Sequence, residues 1–353
     1  MSNLFQKVQS HQKLQLPFVV FCKPNSDKII GLFQNDNSDY FIENFDEKGF
    51  VFGPFNGKNI PYIPVDTSHV YVEKVSVSDF YIGSNTKFDT NEKNQFNFEE
   101  LVQKAIDAIQ LGSFQKVVLS RKETVEIFNF DIESTFKKLL LNYPTAFRYC
   151  FFHPKIGLWL GATPEQFLKV DNTEIQTVAL AGTQVFDGNK EIVWEEKEKQ
   201  EQEFVADFIV SSLKEHVENV NVSNPYTTRA GNLMHIKTNI SATLNNSKNL
   251  KSVLETLHPT PAVCGFPKTA TKDFILQNEG YNREFYSGFL GELNINLATF
   301  KEEQSDLFVN LRCMKIVENT AELFMGCGIT KDSNPNKEYI ETVNKSFTMK
   351  KVL

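Results

Sequence analysis

The sequence predicts an α+β fold, in which sheets and helices form separate layers. Short apolar runs divided by Asn, Asp, Gly and Pro dominate residues 1–95 and predict strands joined by turns. Two long helical patterns lie later in the chain, and strand and helix segments lack the regular alternation of a parallel sheet. With 353 residues, the chain is long enough to bury a substantial core as one large or two ordinary domains.

The composition and charge exclude several classes of protein. Hydrophobic residues make up 41% of the chain and charged residues 23%, which is typical of a globular protein rather than a disordered or fibrous one. Because 44 Asp and Glu outnumber 37 Lys and Arg, we expect no broad basic surface and no nucleic-acid partner. The longest early apolar run, residues 16–22, is far shorter than the ~20 residues of a membrane span, so no membrane association is expected.

The five cysteines indicate a reducing compartment. They are odd in number, scattered along the chain and never arranged as C-x-x-C. Cysteine in such a pattern serves as a small core residue. Since the N-terminus also does not resemble a cleavable signal, the sequence predicts a cytoplasmic protein.

The individual elements follow from local patterns. Strands in the β-rich first part are predicted at residues 18–22, 29–33, 62–65 and 70–75. A helix is predicted from Asn97, whose spacing to Glu100 is that of a capping box, to Gly112. Strands then follow at 116–121, in a hairpin of 147–152 with 158–162, and at 177–180, 307–316 and 321–325, while longer helices are predicted at 191–217 and 335–347.

A first pair of glutamates lies on the buried face of the helix predicted at 191–217. Stepping back from Val205 by four and then three residues leads to Glu201 and Glu198, whereas Glu195 and Glu196 are expected off this face. The pair is either a solvated first turn, where acids favour the helix dipole, or a pair of oxygen ligands for Mg²⁺.

A second pair of glutamates has the same spacing near the C-terminus. Glu338 and Glu341 follow Asn334 and Pro335, which are suited to be the N-cap and first residue of the last helix. The two pairs together supply four carboxylates, enough to hold a divalent ion partly through its retained waters.

Other candidate positions are ambiguous when taken alone. Glycines in the strand-like segments 180–183 and 326–329 mark either bends or places where a ligand approaches the backbone. Lys116 opens an apolar strand, where a lysine usually extends to solvent, and Glu165 follows a strand end. The histidines and cysteines form no zinc spacing, and nucleotide-binding glycine motifs and the G-x-S-x-G elbow are absent from the sequence.

Taken in order, these segments resemble the chorismate-utilising enzymes: isochorismate synthases, salicylate synthases, and the synthase subunits for anthranilate and aminodeoxychorismate. The resemblance covers about residues 97–350. Its segments are FQKVVLSR (114–121), GATPE (161–165), ALAGT (179–183), KEKQE (197–201), HIKT (235–238), HPTPAVCGFP (258–267), REFYSGFLG (283–291), GCGI (326–329) and SNPNKEYIETVNK (333–345). Nine segments in the same order make a chance match very improbable.

The resemblance implies a fold and a metal ion. Two antiparallel β-sheets flanked by helices are expected, with residues 1–95 as the N-terminal part of the same fold and residues 96–353 as the catalytic region. The acids matching Glu201 and Glu341 would bind Mg²⁺ directly, and those matching Glu198 and Glu338 would support it. The ion would supply positive charge for a dianionic substrate in an acidic protein.

The resemblance also implies a substrate site for chorismate. Tyr286 and Arg312 would hold the enolpyruvyl carboxylate, His235 would line the ring pocket, and Gly182 and Gly328 would let the backbone approach the ligand. The implied substrate-binding residues are Gly182, Thr183, His235, Ala262, Tyr286, Arg312, Gly326 and Gly328.

Two positions favour isochorismate synthase within the family. Enzymes that add ammonia tend to have Gln at the position of Lys116 and Gly-Thr in place of Pro261 and Ala262. Here Lys116 would take a proton from water attacking C2, while protonated Glu165 would give one to the departing C4 hydroxyl. No glutaminase subunit is then expected.

Two alternatives to isochorismate synthase stay open at this point. A salicylate synthase would share Lys116 and Glu165 and go on to eliminate pyruvate. A non-catalytic chorismate-binding subunit would have little reason to keep both residues together with four glutamates. The resemblance also leaves two pathways for isochorismate open, menaquinone and siderophore biosynthesis.

Overall fold

The helices and strands are those of a computed structural model that describes residues 3–74, 92–186, 192–230, 233–246 and 249–353. The helices in these ranges are α1 (Asn3–Leu14), α2 (Glu92–Gln110), α3 (Ile132–Asn142), α4 (Glu196–Leu213), α5 (Leu250–Leu257), α6 (Lys268–Asn278) and α7 (Pro335–Lys350). The strands are β1 (Phe18–Cys22), β2 (Lys28–Gln34), β3 (Gly49–Gly53), β4 (Tyr62–Pro64), β5 (Ser68–Lys74), β6 (Lys116–Glu126), β7 (Phe147–His153), β8 (Gly157–Thr163), β9 (Gln166–Asp171), β10 (Glu174–Val185), β11 (Val217–Val222), β12 (Tyr226–Ala230), β13 (Leu233–Leu244), β14 (Gly265–Phe266), β15 (Phe289–Leu293), β16 (Ile295–Asn296), β17 (Lys301–Glu302), β18 (Gln304–Val309), β19 (Cys313–Val317) and β20 (Thr320–Ile329).

Two antiparallel sheets organise the molecule, as the sequence predicts. The first sheet has the strand order β14-β6-β20-β19-β8-β7-β1-β2-β5. The second has the order β11-β13-β10-β9-β18-β15-β3-β4, with β12 also paired to β13. Strands β16 and β17 form a separate short ribbon. The helices lie against these sheets, so the predicted α+β fold is confirmed.

Aromatic side chains fill the space between the two sheets. The Phe147 ring of the first sheet stacks on the Phe308 ring of the second, with 4.4 Å between ring centroids. Phe52 and Phe151 form a similar stack at 4.3 Å. This interior accounts for some of the 32 Phe residues in the sequence, because large rings bury much apolar area in one place.

The N-terminal strands belong to both sheets. In the first sheet β1 pairs with β7, and in the second β3 pairs with β15. The predicted apolar runs correspond to β1, β2, β4 and β5, although residue 75 lies outside the described ranges. Helix α1 was not predicted, because only Leu4, Phe5 and Val8 of its residues are buried and the apolar pattern is short. The division of the chain into an N-terminal part, residues 1–95, and a catalytic region, residues 96–353, stays a prediction.

Several helix boundaries differ from the prediction, including the end of α7, which lies at Lys350 instead of residue 347. Helix α2 contains Asn97 instead of beginning there, since its first turns are polar residues that favour helix, with Gln95 donating to Glu99 at 2.8 Å. Helix α4 is shorter than predicted, because Val217 already begins β11, which pairs with β13. Helix α4 also begins later than predicted, at Glu196 instead of residue 191. Residue 191 itself lies outside the described ranges, but residues 192–195 are not helical and Glu195 is the N-cap.

The strand predicted at residues 307–316 is two strands in different sheets. Strand β18 belongs to the second sheet and β19 to the first, so residues 310–312 cross between them. Arg312 adopts a left-handed backbone conformation at this crossover, with φ of 48°. The other predicted strands are confirmed, including the β7–β8 hairpin with Phe152 opposite Leu158.

Two further features concern the burial of the cysteines and the apolar character of the helices. All five cysteine side chains are buried and unbridged, in agreement with a role as small core residues. None of the helices in the described ranges has the length and apolar character needed to cross a membrane.

Candidate active site

A cavity of about 460 Å³ lies between helices α4 and α7 and strands β6, β10 and β20. Its volume is that of a small-molecule site. All the predicted site residues line it except Thr183, which lies on β10 but whose side chain is outside the described part of the chain. The residues concerned are Lys116, Glu165, Gly182, Glu198, Glu201, His235, Ala262, Tyr286, Arg312, Gly326, Gly328, Glu338 and Glu341.

The pairing of β6 with β20 places Lys116 beside the glycines of β20. Gly328 lies opposite Val118, and Gly326 lies opposite Ser120. A Cβ atom at Gly328 would lie 3.0 Å from Cε of Lys116, so a larger residue would crowd the lysine. Glycine here keeps space for the Lys116 side chain, which supports the reading of these glycines as site residues rather than bends.

A bulge in β10 shapes the opposite wall. The register between β10 and β13 shifts between Ala181 and Gln184, and Gly182 has a φ of +67°. The carbonyl oxygen of Gly182 lies 2.8 Å from Nδ1 of His235. A carbonyl only accepts, so Nδ1 carries the proton. Burial lowers the pKa of His235 to about 4, which keeps the ring neutral with Nε2 as its acceptor nitrogen.

Glu165 lies between β8 and β9, and its main-chain oxygen accepts a hydrogen bond from the Val309 amide at 3.0 Å. Desolvation raises the pKa of the Glu165 carboxyl to about 7, although Lys116, Lys345 and Arg312 oppose this shift. A carboxyl group with such a pKa is partly protonated at neutral pH. It is therefore suited to donate a proton.

The N-terminus of α4 brings three glutamates to the cavity. Glu195 is the N-cap and forms a capping box with Glu198, whose Oε2 accepts from the Glu195 amide at 2.8 Å. Gln184 also donates to both oxygens of Glu198, at 3.0 and 3.2 Å. Glu201 accepts a hydrogen bond from Nζ of Lys116. The expectation that Glu195 lies off the inward face is wrong, because it lines the cavity.

Helix α7 begins where the sequence predicts and presents one face to the cavity. Oδ1 of Asn334 caps it by accepting from the Lys337 amide at 3.1 Å. Glu338 is 9% exposed, and Glu341 forms an ion pair of 2.6 Å with Lys345. Nζ of Lys345 also donates to the Gly326 carbonyl at 2.9 Å.

Lys345 is a site residue that the sequence reasoning missed. It lies within the matching segment at residues 333–345, but no role was predicted for it. The signal was present, because Lys345 follows Glu341 by four residues and Glu338 by seven, which keeps all three on one helical face. The cavity therefore holds three cationic side chains, those of Lys116, Arg312 and Lys345.

The four glutamates predicted to hold Mg²⁺ fit that ion by their chemistry. Carboxylate oxygens are the ligands that Mg²⁺ prefers, and all four line one cavity. As they stand, Glu201 and Glu341 are engaged by lysines. Among the residues with described positions, no three His, Cys, Asp or Glu side chains converge as a ready metal centre. Ligation by the whole set therefore requires these side chains to turn from their lysine partners.

Tyr286 and Arg312 lie together in the cavity wall. Tyr286 is 4% exposed, and its ring stacks on Phe324 with 5.7 Å between centroids. Burial raises the pKa of the Tyr286 phenol, so the hydroxyl keeps its proton. Nη1 of Arg312 donates to Oγ1 of Thr348 at 3.1 Å. The pair offers a hydroxyl and a guanidinium to an anionic group.

A buried ion pair supports the apolar wall formed by Val118 and Val263. The guanidinium of Arg283 donates to the Val263 carbonyl at 2.9 Å and to the Val118 carbonyl at 2.7 Å. It is paired with Glu279 at 2.5 Å, and both side chains are nearly inaccessible. Ser120 donates to the same carboxylate through its amide, at 2.7 Å. The network fixes β6 relative to the loop that carries Ala262.

Comparison with known proteins agrees with the resemblance noted in the sequence. A family model described as chorismate binding enzyme matches residues 70–353. The salicylate biosynthesis isochorismate synthase of Pseudomonas aeruginosa is 30% identical over 274 residues, which are 75% of this chain and 56% of that protein. The isochorismate synthase EntC of Escherichia coli K12 is 30% identical over 268 residues, which are 72% of this chain and 66% of EntC. The chain thus spans less than two thirds of the length of these relatives.

A solved structure has the same fold over nearly the whole chain. The protein DhbC from Bacillus anthracis superposes with a TM-score of 0.80 at 20% sequence identity. The match covers 98% of each chain. Residues 18–74, which carry little of the sequence resemblance, are therefore included in the shared architecture.

Proposed function

This chain belongs to the family of chorismate-binding enzymes, and from that premise we propose that it is a Mg²⁺-dependent isochorismate synthase. The reaction adds water at C2 of chorismate and removes the C4 hydroxyl, so the net change is an isomerisation. The observation that carries the proposal is the presence of Lys116 and Glu165 on one cavity, with the pKa of Glu165 at about 7. The names of the relatives EntC and the Pseudomonas enzyme support the same reaction.

The charges of the cavity suit a doubly negative substrate. We propose that Tyr286 and Arg312 bind the enolpyruvyl carboxylate, because they offer adjacent hydrogen-bond donors in a buried wall. Lys345 adds a further positive charge near Gly326. We propose that His235 lines the pocket for the substrate ring, because a neutral imidazole suits an uncharged part of the substrate rather than a carboxylate.

Proton transfer is assigned to two side chains. Glu165 in its protonated form donates to the C4 hydroxyl as the carbon–oxygen bond breaks, so that water leaves instead of hydroxide. Lys116 accepts the proton of the water that attacks C2, for which its amine must be neutral and must release the hydrogen bond to Glu201.

Four carboxylates are assigned to the metal ion. Glu201 and Glu341 would bind Mg²⁺ directly, with Glu198 and Glu338 supporting it. When bound, the ion supplies positive charge close to the anionic substrate. The assignment is supported by the presence of four acids in the N-terminal turns of α4 and α7, all of which line the same cavity.

The assigned partners and location follow from the same features. We propose that the chain acts on chorismate without a glutaminase subunit, because Lys116 stands where ammonia-adding relatives tend to have Gln. Five buried thiols without a disulfide suit a reducing cytoplasm.

Product analysis tests this function directly. Purified protein is incubated with chorismate and Mg²⁺, without an amine source, and the products are separated by liquid chromatography. We expect isochorismate in equilibrium with chorismate, since water addition nearly conserves bond types. Salicylate with stoichiometric pyruvate would instead identify a salicylate synthase, and anthranilate formed on adding ammonium would refute the assignment of Lys116. Unchanged chorismate would favour a non-catalytic binding protein.

A further inference from the structure

We propose that Asn310 is a positioning residue that sets the geometry of Tyr286 and Arg312 for the substrate carboxylate. The inference rests on the proposed function and deepens it, because it concerns how the substrate is held. Asn310 is fully buried and does not line the cavity. It lies two residues before Arg312, at the crossover between the two sheets.

Asn310 binds the segment carrying Tyr286 through both its main chain and its side chain. Its amide donates to the Gly288 carbonyl at 2.9 Å, and its carbonyl accepts from the Ser287 amide at 2.9 Å. Its side-chain Nδ2 donates to the Phe285 carbonyl, also at 2.9 Å. Three contacts therefore surround Tyr286 and join it to the crossover.

Tyr149 fixes the orientation of the Asn310 side chain. Its hydroxyl donates to Oδ1 of Asn310 at 2.6 Å, and burial raises the pKa of Tyr149 well above its usual value, so the hydroxyl remains a donor. With Oδ1 accepting and Nδ2 donating, the buried amide is satisfied in one orientation only. Because Tyr149 lies on strand β7, the first sheet holds the Asn310 amide in this orientation.

The two segments need such support because both contain unfavourable backbone. Ser287 has a φ of 62° and Arg312 a φ of 48°, a region that L-residues other than glycine rarely adopt. Conformations of this kind persist when surrounding contacts fix them. The side chain of Asn310 supplies one such contact, to the Phe285 carbonyl, and the residue lies next to the Arg312 turn. Losing this amide, while the two main-chain hydrogen bonds remain, should therefore loosen both segments together.

A positioning role has a kinetic signature that a purely structural role lacks. If Tyr286 and Arg312 hold the carboxylate equally in the ground state and the transition state, misplacing them raises KM and leaves kcat nearly unchanged. A merely destabilised protein instead contains fewer active molecules, which lowers the apparent kcat and leaves KM as it was. The two roles can therefore be separated.

The test compares Asn310→Leu, Asn310→Asp and Tyr149→Phe with the matched control Gln34→Leu. Gln34 is also a buried amide, 1% exposed, whose Nε2 donates to the carbonyls of Asp36 and Ser38, but it does not line the cavity. Asn310→Asp keeps an acceptor for Tyr149 and loses the donor to Phe285. This variant can therefore be measured instead if Asn310→Leu does not fold. KM and kcat for chorismate are measured with the melting temperature of each variant.

We expect KM for chorismate to rise about tenfold or more in the Asn310 variants, while kcat changes less than about threefold. A tenfold rise is at the lower end of what is expected when a hydrogen bond to the charged substrate carboxylate is lost. Tyr149→Phe, which keeps the donor to Phe285, should have a smaller effect, and Gln34→Leu should lower the melting temperature only. An unchanged KM in folded Asn310 variants would overturn the proposal.

Hydrogen exchange separates this inference from the proposed function. Peptides covering residues 283–289 are followed in wild-type protein and Asn310→Asp without any substrate. We expect the Ser287 and Gly288 amides to exchange about tenfold faster in the variant. Unchanged exchange would refute the role of Asn310 even if isochorismate is formed, and faster exchange would support the role even if the reaction product proves to be different.

Discussion

At the scale of single residues, the proposed chemistry depends most on Glu165. Its pKa of about 7 means that the acid form is present at neutral pH and is lost as pH rises. Three cations near Glu165 favour its ionised form, yet desolvation outweighs them. In the proposed mechanism, this proton would be donated to the departing C4 hydroxyl.

Glu165→Gln should lower kcat/KM for chorismate by at least ~100-fold, the lower range for general acid catalysis. In the wild type, loss of the Glu165 proton as pH rises through about 7 acts against the gain in neutral Lys116, so the pH profile of kcat/KM should contain an ionisation near pH 7. The variant should lack this ionisation. The exposed Glu126→Gln serves as control, and a Glu165→Gln variant within a few-fold of the wild-type rate would exclude the acid role.

Lys116→Ala should fold, bind chorismate and turn over at least ~100-fold more slowly, because the base that activates water is removed. Lys122→Ala is the matched control, since Lys122 lies on the same strand and pairs with Glu322 at 2.6 Å away from the cavity. Small primary amines added to Lys116→Ala should restore part of the rate. A near-normal rate without added amine would show that Lys116 is not the base.

The placement of residues on the cavity was predictable where spacing within a helix defined it. Glu198 and Glu201 were placed correctly on the cavity by helical periodicity, and so were Glu338 and Glu341. Glu195 was misplaced because it is the N-cap, with a φ of −73° and ψ of 161°, so the helical period does not apply to it. Whether Lys116 extends to solvent or into a cavity depends on the partner strand β20, which local sequence does not reveal.

At the scale of elements, the central feature is the pair of helices, α4 and α7, whose first two turns bring glutamates to the cavity. Glu201 and Glu341, one from each helix, should both be required for metal binding. Glu201→Ala and Glu341→Ala should each lose far more activity than Glu196→Ala, whose side chain is exposed and paired with Lys199. Chelation should abolish turnover, and added Mg²⁺ should restore it.

Metal affinity itself provides the second measurement of this prediction. Titration calorimetry with Mg²⁺ alone should give a binding signal for wild type and Glu196→Ala that is lost in Glu201→Ala and Glu341→Ala. This readout does not depend on turnover. Full activity of Glu201→Ala in the presence of chelator would contradict the metal assignment.

Elements with strong local patterns were predicted well, and those decided by long-range pairing were not. The β7–β8 hairpin and the start of α7 follow from turn and capping residues that act locally. The break between β18 and β19 carries no Gly or Pro in the sequence, so residues 307–316 resembled one strand. It exists because the two halves pair with different sheets, and this break is what brings Arg312 to the cavity.

At the scale of the whole molecule, two sheets packed through aromatic rings hold the cavity-forming elements in place. The cavity combines residues as distant in sequence as Lys116 and Lys345. The α+β class was predictable from the patterns of apolar residues, but the division of strands between two sheets was not. The N-terminal strands contribute to both sheets, so they form part of the scaffold that supports the site.

The central claim is that solvent water attacks C2 while the C4 hydroxyl leaves, and labelling with ¹⁸O tests it most directly. The enzyme is incubated with chorismate and Mg²⁺ in H₂¹⁸O, and the products are analysed by mass spectrometry. The account predicts isochorismate carrying one ¹⁸O in its C2 hydroxyl, with label also entering recovered chorismate through the reverse reaction. Isochorismate without label would contradict it, because the hydroxyl would then have moved within the molecule.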